Sequence, residues 1–311
     1  MLLDLELDAP ASGAISTGAL LAGFVAFDAP ARTRLVWQLL CAPVIGAAGA
    51  LGVLTGEPGA LAALTMGLFA SIAGMSVAVS RRLAIAALNC VLALLLGQGL
   101  SVSPSEASAA LLLGGAGAAL QALVSAAAWT RDRTVEPIDL AAGVSRARRA
   151  IATNLSLESK SLRHSLRWGT ALGLAVGVYH VVDLGLHGYW VPLTVLFVLR
   201  PEPDETVERI AMRAVGTLAG LALATPLAML IGGLDVVEAF AIGITAALSF
   251  ALLAIEYALF TAAITTFIIL TAHALGQAAG QAAGQRALST LIGLGIVAVA
   301  VVLWGGPRTA K

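Results

Sequence analysis

Three arginines, Arg200, Arg209 and Arg213, follow one short apolar run, 188–199. A guanidinium keeps its charge at any physiological pH and can hold a carboxylate through two parallel N–H bonds. Arg32 and Arg34 stand in the same relation to a second short run, 14–27. Guanidinium groups gathered at a constricted opening concentrate anions there. Arg213 is the leading candidate because it falls inside the apolar start of a segment rather than at its end. Gln38 is its neutral counterpart in the first half, so an anion site built this way is asymmetric. The competing reading is that these arginines only anchor helix ends at a membrane surface.

Other groups could complete such a site. Thr194, Thr261, Thr265 and Thr266 carry hydroxyls that could bond a carboxylate or a carbonyl, or else their own helix backbone. Trp190 and Tyr189 fit an interfacial aromatic belt, and Trp190 could also stack on an aromatic substrate. A proton-coupled process needs a group that titrates near neutrality. His273 is the best candidate, with His180 and Asp183 as alternatives, and a buried structural histidine is the competing reading. Cys41 and Cys90 both lie inside apolar runs, without metal-ligand spacing or a disulfide role. Neither metal nor cofactor is expected, and no catalytic constellation suggests an enzyme. Zero net charge gives no case for a nucleic-acid partner.

Composition decides which elements must position these residues. The chain has 311 residues, 59% of them apolar and 12% charged, against roughly 25% charge in an ordinary soluble domain. Charges sit in short clusters between apolar runs, each approaching the length needed to cross about 30 Å of hydrocarbon. The expected fold is therefore an all-α integral membrane protein with about 11 spans. These are 14–27, 35–54, 60–79, 83–99, 107–128, 166–182, 188–199, 210–232, 236–253, 257–275 and 286–304. The run 239–275 is too long for one crossing, and its sole charge, Glu256, marks the turn. With the N-terminus outside, all of the 18 Lys and Arg residues except Arg286 fall on the inner side. That agrees with the positive-inside rule and puts the C-terminus in the cytoplasm. Met1 to Pro10 has no basic residue and does not resemble a signal peptide.

A shift of 175 residues, which takes Gly13 to Gly188 and Arg34 to Arg209, superposes the first five spans on the last five. Corresponding spans run in the same direction, so the repeat is parallel, five helices followed by six. Span 166–182 has no counterpart ahead of the first span. The expected organisation is an outer tail 1–12, a first repeat 13–129, a cytoplasmic linker 130–165, a second repeat 166–304 and a cytoplasmic tail 305–311. In the linker, Leu140, Val144, Ala147, Ile151 and Leu155 recur at helical spacing beside arginines. This fits an amphipathic helix on the inner leaflet, or a solvated basic linker. The two shortest spans occupy equivalent places in the halves, the pattern that points to a transporter's binding site. Gly216 and Gly220 have the spacing that lets helices approach closely. Gly276, Gly280 and Gly284 read as a low-complexity outer linker.

The stretch 187–201, His-Gly-Tyr-Trp-Val-Pro-Leu-Thr-Val-Leu-Phe-Val-Leu-Arg-Pro, resembles the signature of the fusaric acid resistance (FUSC-like) family. Thr206, Arg209 and the run from Arg213 to Gly220 continue the resemblance, as do Tyr257 and Thr265. It is specific over 166–304 and weaker over 13–128. The resemblance implies an exporter of organic anions, aromatic carboxylic acids foremost, in a bacterial inner membrane. Proton coupling is the expected drive for such an exporter, and a homo-oligomer is a compatible assembly. A passive anion channel or a non-transporting envelope scaffold are the alternatives. The chain departs from larger members by its short linker and by the helix its first half lacks.

Overall fold

A computed structural model describes residues 9–99, 106–128, 140–182, 184, 188–253, 255–274 and 276–304. Among the described residues every regular element is helical. Eight helices among these residues are long and apolar enough to cross a membrane. Leu64, Leu68, Ile72, Met229, Leu230 and Val302 are all exposed, as suits side chains whose solvent is lipid rather than water. The chain is a multi-pass helical membrane protein.

The chain divides into two compact units, Met1–His180 and Val181–Lys311. The first holds α1 (Ala9–Gly23), α2 (Ala31–Thr55), α3 (Gly59–Gly74, extended by a 3-10 turn to Ala78), α4 (Arg81–Gly99), α5 (Ala107–Ala128), α6 (Leu140–Thr153) and α7 (Lys160–Val181). Small residues set its packing. A Cβ on Gly18 would lie 2.0 Å from the Gly114 carbonyl oxygen, and one on Gly52 would lie 2.2 Å from that of Leu94. These contacts press α1 onto α5 and α2 onto α4 with no side chain between them. Helix α7 runs antiparallel along α3, with Gly169 and Gly173 against Gly67, and Ser165 against Gly74. These glycine contacts seat α7 directly on α3. The linker helix α6 exists, and its arginines Arg146, Arg148 and Arg149 are exposed.

The second unit holds α8 (Trp190–Val198), α9 (Pro203–Ile231), α10 (Asp235–Leu253), α11 (Tyr257–Ala274) and α12 (Ala279–Trp304). Helix α8 has nine residues, a reach of only about 13 Å. Pro192 sits in its first turn, where the missing N–H costs nothing. The helix stops at Leu199, whose backbone is extended (ψ 115°) ahead of Arg200-Pro201. Helix α9 then starts on Pro203, with Asp204 and Glu205 in its first turn, a favourable N-terminus. It lies parallel to α11, because Gly216 meets Ala258 and Thr261 while Gly220 meets Ala262 and Thr265. Ala224, Ala228, Ile231, Ile269, Leu270 and Ala279 form a core cluster. The turn expected at Glu256 is present, and its carboxylate accepts the Leu259 N–H at 2.8 Å to cap α11.

Two expectations need correction. Gly280 and Gly284 are not linker; they lie in the first turns of α12. The Ala and Gln residues between them favour helix, and Gln277 donates to Gln285 at 2.9 Å across the start. Only Gly276, at φ +87°, forms the turn. As a result α12 begins at Ala279 rather than 286, which brings Arg286 inside the helix.

Candidate functional site

Arg286 is 1% exposed and Arg213 is 2% exposed. Neither has a carboxylate partner among the described residues. Nε and Nη1 of Arg286 and Nε of Arg213 are buried without a hydrogen-bond partner. The Arg286 guanidinium stands 5.0 Å from the centre of the Trp190 ring, a cation–π contact. Its electrostatic neighbours are Arg213, as a like charge, and the phenols of Tyr189 and Tyr257. Desolvating a guanidinium costs several kcal/mol unless something compensates, and here two positive charges share one interior.

The elements explain how these groups meet. Gly293 on α12 packs against Thr194 and Val191 of α8, and this close parallel approach brings Arg286, about two turns earlier, over Trp190. Arg213 comes from α9, a turn before Gly216 and Thr217. The hydroxyls of Thr217, Tyr257, Thr261, Thr265, Ser289 and Thr290 are buried and have no hydrogen-bond partner among the described residues. Two buried cations with unbonded N–H groups on neighbouring helices could together hold an anion with several acceptor oxygens.

The remaining candidates take different places. Arg209 stacks its guanidinium 4.2 Å from the Tyr257 ring centre. Arg200 lies in the loop after α8, where the Thr206 hydroxyl accepts its N–H at 3.0 Å and donates to the Glu202 carbonyl at 3.1 Å. Burial, and then the like charge of Arg209, press the Arg200 guanidinium below its ordinary value. Thr194 is fully buried, but its hydroxyl donates to the Trp190 carbonyl at 3.0 Å, the backbone alternative. Trp190 is 1% exposed, so it is part of the interior and not of a lipid-facing belt. Arg34 belongs to the first unit, where Nη2 donates to the Ala29 carbonyl at 3.1 Å and the guanidinium lies 5.8 Å from the Phe27 ring centre. Gln38, also in that unit, is fully buried with neither amide atom bonded. Thr266 donates to Ala262 within its own helix at 3.0 Å. His273 Nδ1 lies 2.7 Å from Glu238 Oε1. His180 packs against Gly59 and stacks on Tyr179 in the first unit, and Asp183 lies outside the described residues.

Sequence reasoning missed Arg286 by taking it for an outer-loop residue. Its signal was present: Arg286, Ser289, Thr290 and Gly293 form an i, i+3, i+4, i+7 stripe in an otherwise apolar run.

A multi-span helical protein with a buried, uncompensated cationic site is the class these observations define. Residues 170–300 match the model of the fusaric acid resistance protein-like family. That region of the chain is thus similar to fusaric acid resistance-like proteins, as its motifs suggested. Over 151 residues the chain is 31% identical to the inner membrane protein YccS of Escherichia coli K12, covering 49% of this chain and 21% of that protein. It is 28% identical over 155 residues to a protein of Haemophilus influenzae Rd, covering 50% and 21% of the two chains. A Synechocystis protein, slr1298, is 32% identical over 149 residues, covering 47% and 19%. The matched region is about a fifth of the length of each of these relatives. No solved structure matches the chain.

Proposed function

We propose that the chain exports organic anions, aromatic carboxylates foremost, across a bacterial inner membrane in exchange for protons. The observation that carries this reading is the pair Arg213 and Arg286, buried with unbonded N–H groups and, among the described residues, no carboxylate partner. A bound carboxylate would supply the missing charge and accept from both guanidinium groups, and an aromatic ring would find Trp190 beside it. Arg209, one turn before Arg213 on α9, and Arg200, in the loop after α8, would gather anions from the cytoplasmic side.

The finer architecture belongs to this proposal: about 11 spans in two parallel repeats, N-terminus outside and C-terminus inside. Helix pairing supports the repeat. In the first unit α1 packs on α5, α2 on α4 and α3 on α4; in the second α8 packs on α12, α9 on α11 and α10 on α11. Gly52 meets Leu94 and Gly97 with the same sequence separations as Gly216 meets Ala258 and Thr261. The relation to an inner membrane protein supports the location.

The test is flux into liposomes holding the purified protein, for a panel of aromatic and aliphatic carboxylates, with and without an imposed pH gradient. Accumulation against a concentration gradient only when the pH gradient is present supports an exporter. Flux that merely equilibrates, whatever the gradient, indicates a passive channel. Absence of flux for every acid would overturn the transport reading.

A further inference from the structure

Outside the arginine site, the second unit contains a partly buried histidine–glutamate contact. His273, in the last turn of α11, and Glu238, in the first turn of α10, meet at 2.7 Å between Nδ1 and Oε1. The Glu238 side chain is 8% exposed and that of His273 26%. Gly232, closing α9, packs on the imidazole: a Cβ there would lie 2.6 Å from Cε1 and 3.2 Å from Nε2. The pair thus sits where three helix ends converge, with the carboxylate enclosed and one edge of the ring open to solvent.

We infer that Glu238 and His273 form a single proton-binding pair that couples proton movement to the cycle of the second unit. This deepens the exporter reading and rests on it. In the unloaded state the Nδ1–H of a neutral imidazole donates to the carboxylate, and the pair carries one negative charge. A proton from water adds to the lone pair on Nε2 and no other bond breaks. The pair then becomes an imidazolium–carboxylate contact with no net charge. In low dielectric that change of one charge is large on the scale of helix packing, and it falls on the contact that ties α10 to α11. An anion passing this end meets a negative pair before loading and a neutral one after it.

The surrounding elements offer little competition. On α9 the charged residues all lie at 204–213, at the far end. Asp235 is the first residue of α10, Tyr257 lies at the opposite end of α11, and Arg286, on α12, belongs to the arginine site. The corresponding bridge in the first unit does not titrate: Gln98 Nε2 donates to the Ala62 carbonyl at 3.0 Å and to Thr55 Oγ1 at 3.3 Å.

The experiment compares wild type, Glu238→Gln and His273→Asn in liposomes with labelled benzoate. Two modes are read: accumulation driven by a pH gradient, and counterflow at equal pH, which needs no net proton movement. The pair predicts that either substitution reduces gradient-driven accumulation to simple equilibration while counterflow persists. Gradient-driven accumulation undiminished in both variants would overturn it. If wild type shows no counterflow, the exporter reading fails, and the pair is read directly by histidine-selective 15N NMR of the purified protein. A His273 resonance that titrates between about pH 5 and 8, and moves with Glu238→Gln, supports proton binding. A ring that keeps one protonation state across that range contradicts it.

Discussion

Replacing Arg286 with methionine should make the protein more stable and less able to bind anions. The side chain is fully enclosed, with Nε and Nη1 unbonded. A desolvated charge in this condition costs several kcal/mol after relaxation. Against that stand the cation–π contact with Trp190, worth at most about 2 kcal/mol, and the stem packing, which methionine of similar volume largely keeps. The anion-free variant should therefore gain about 1–3 kcal/mol over wild type. Ligand reverses the comparison, since an anion at a hundred times its Kd stabilises wild type by about 2.7 kcal/mol and the variant by little. Thermal unfolding of the detergent-purified protein, followed by tryptophan fluorescence across a benzoate titration, reads both effects. A variant less stable than wild type without anion, together with a wild-type Tm indifferent to benzoate, would refute the reasoning. The guanidinium would then be a structural group.

Gly216→Val should destabilise the α9–α11 contact by about 1–3 kcal/mol, because its Cβ would lie 2.4 Å from the Ala258 carbonyl oxygen; Gly243→Ala, with nothing within 4 Å, should not. Both are read by thermal unfolding. Thr206→Val removes the hydroxyl that holds the Arg200 loop and should cost about 1–3 kcal/mol, with faster proteolysis of that loop. Thr194→Val should leave benzoate affinity within about twofold of wild type, as equilibrium binding would show, since that hydroxyl already serves the Trp190 carbonyl.

Much of this was legible in the sequence because lipid enforces simple rules. Apolar length and charge clusters gave helices close to those observed, and one carboxylate in a long apolar run marked the turn at Glu256. Arg213 was legible as a charge inside a span. Three things were not. The extent of α12 was hidden by its Gly-Gln-Ala-Ala repeats, which look like linker by hydropathy yet keep helix propensity, and Arg286 went with it. The Glu238 partner of His273 depends on how α10 faces α11, which periodicity on a nearly uniform apolar helix does not encode. The packing of α7 on α3 rests on glycine-to-glycine contacts whose partners no spacing rule names.

The central claim is that an organic anion binds between Arg213 and Arg286 in the second unit. Anomalous diffraction from crystals grown with 4-bromobenzoate would test it most directly. The account predicts bromine density beside Trp190, with the carboxylate on the two buried guanidinium groups, and its loss in Arg286→Met crystals. Density only beside Arg200 and Arg209, or beside Arg34 in the first unit, would contradict it.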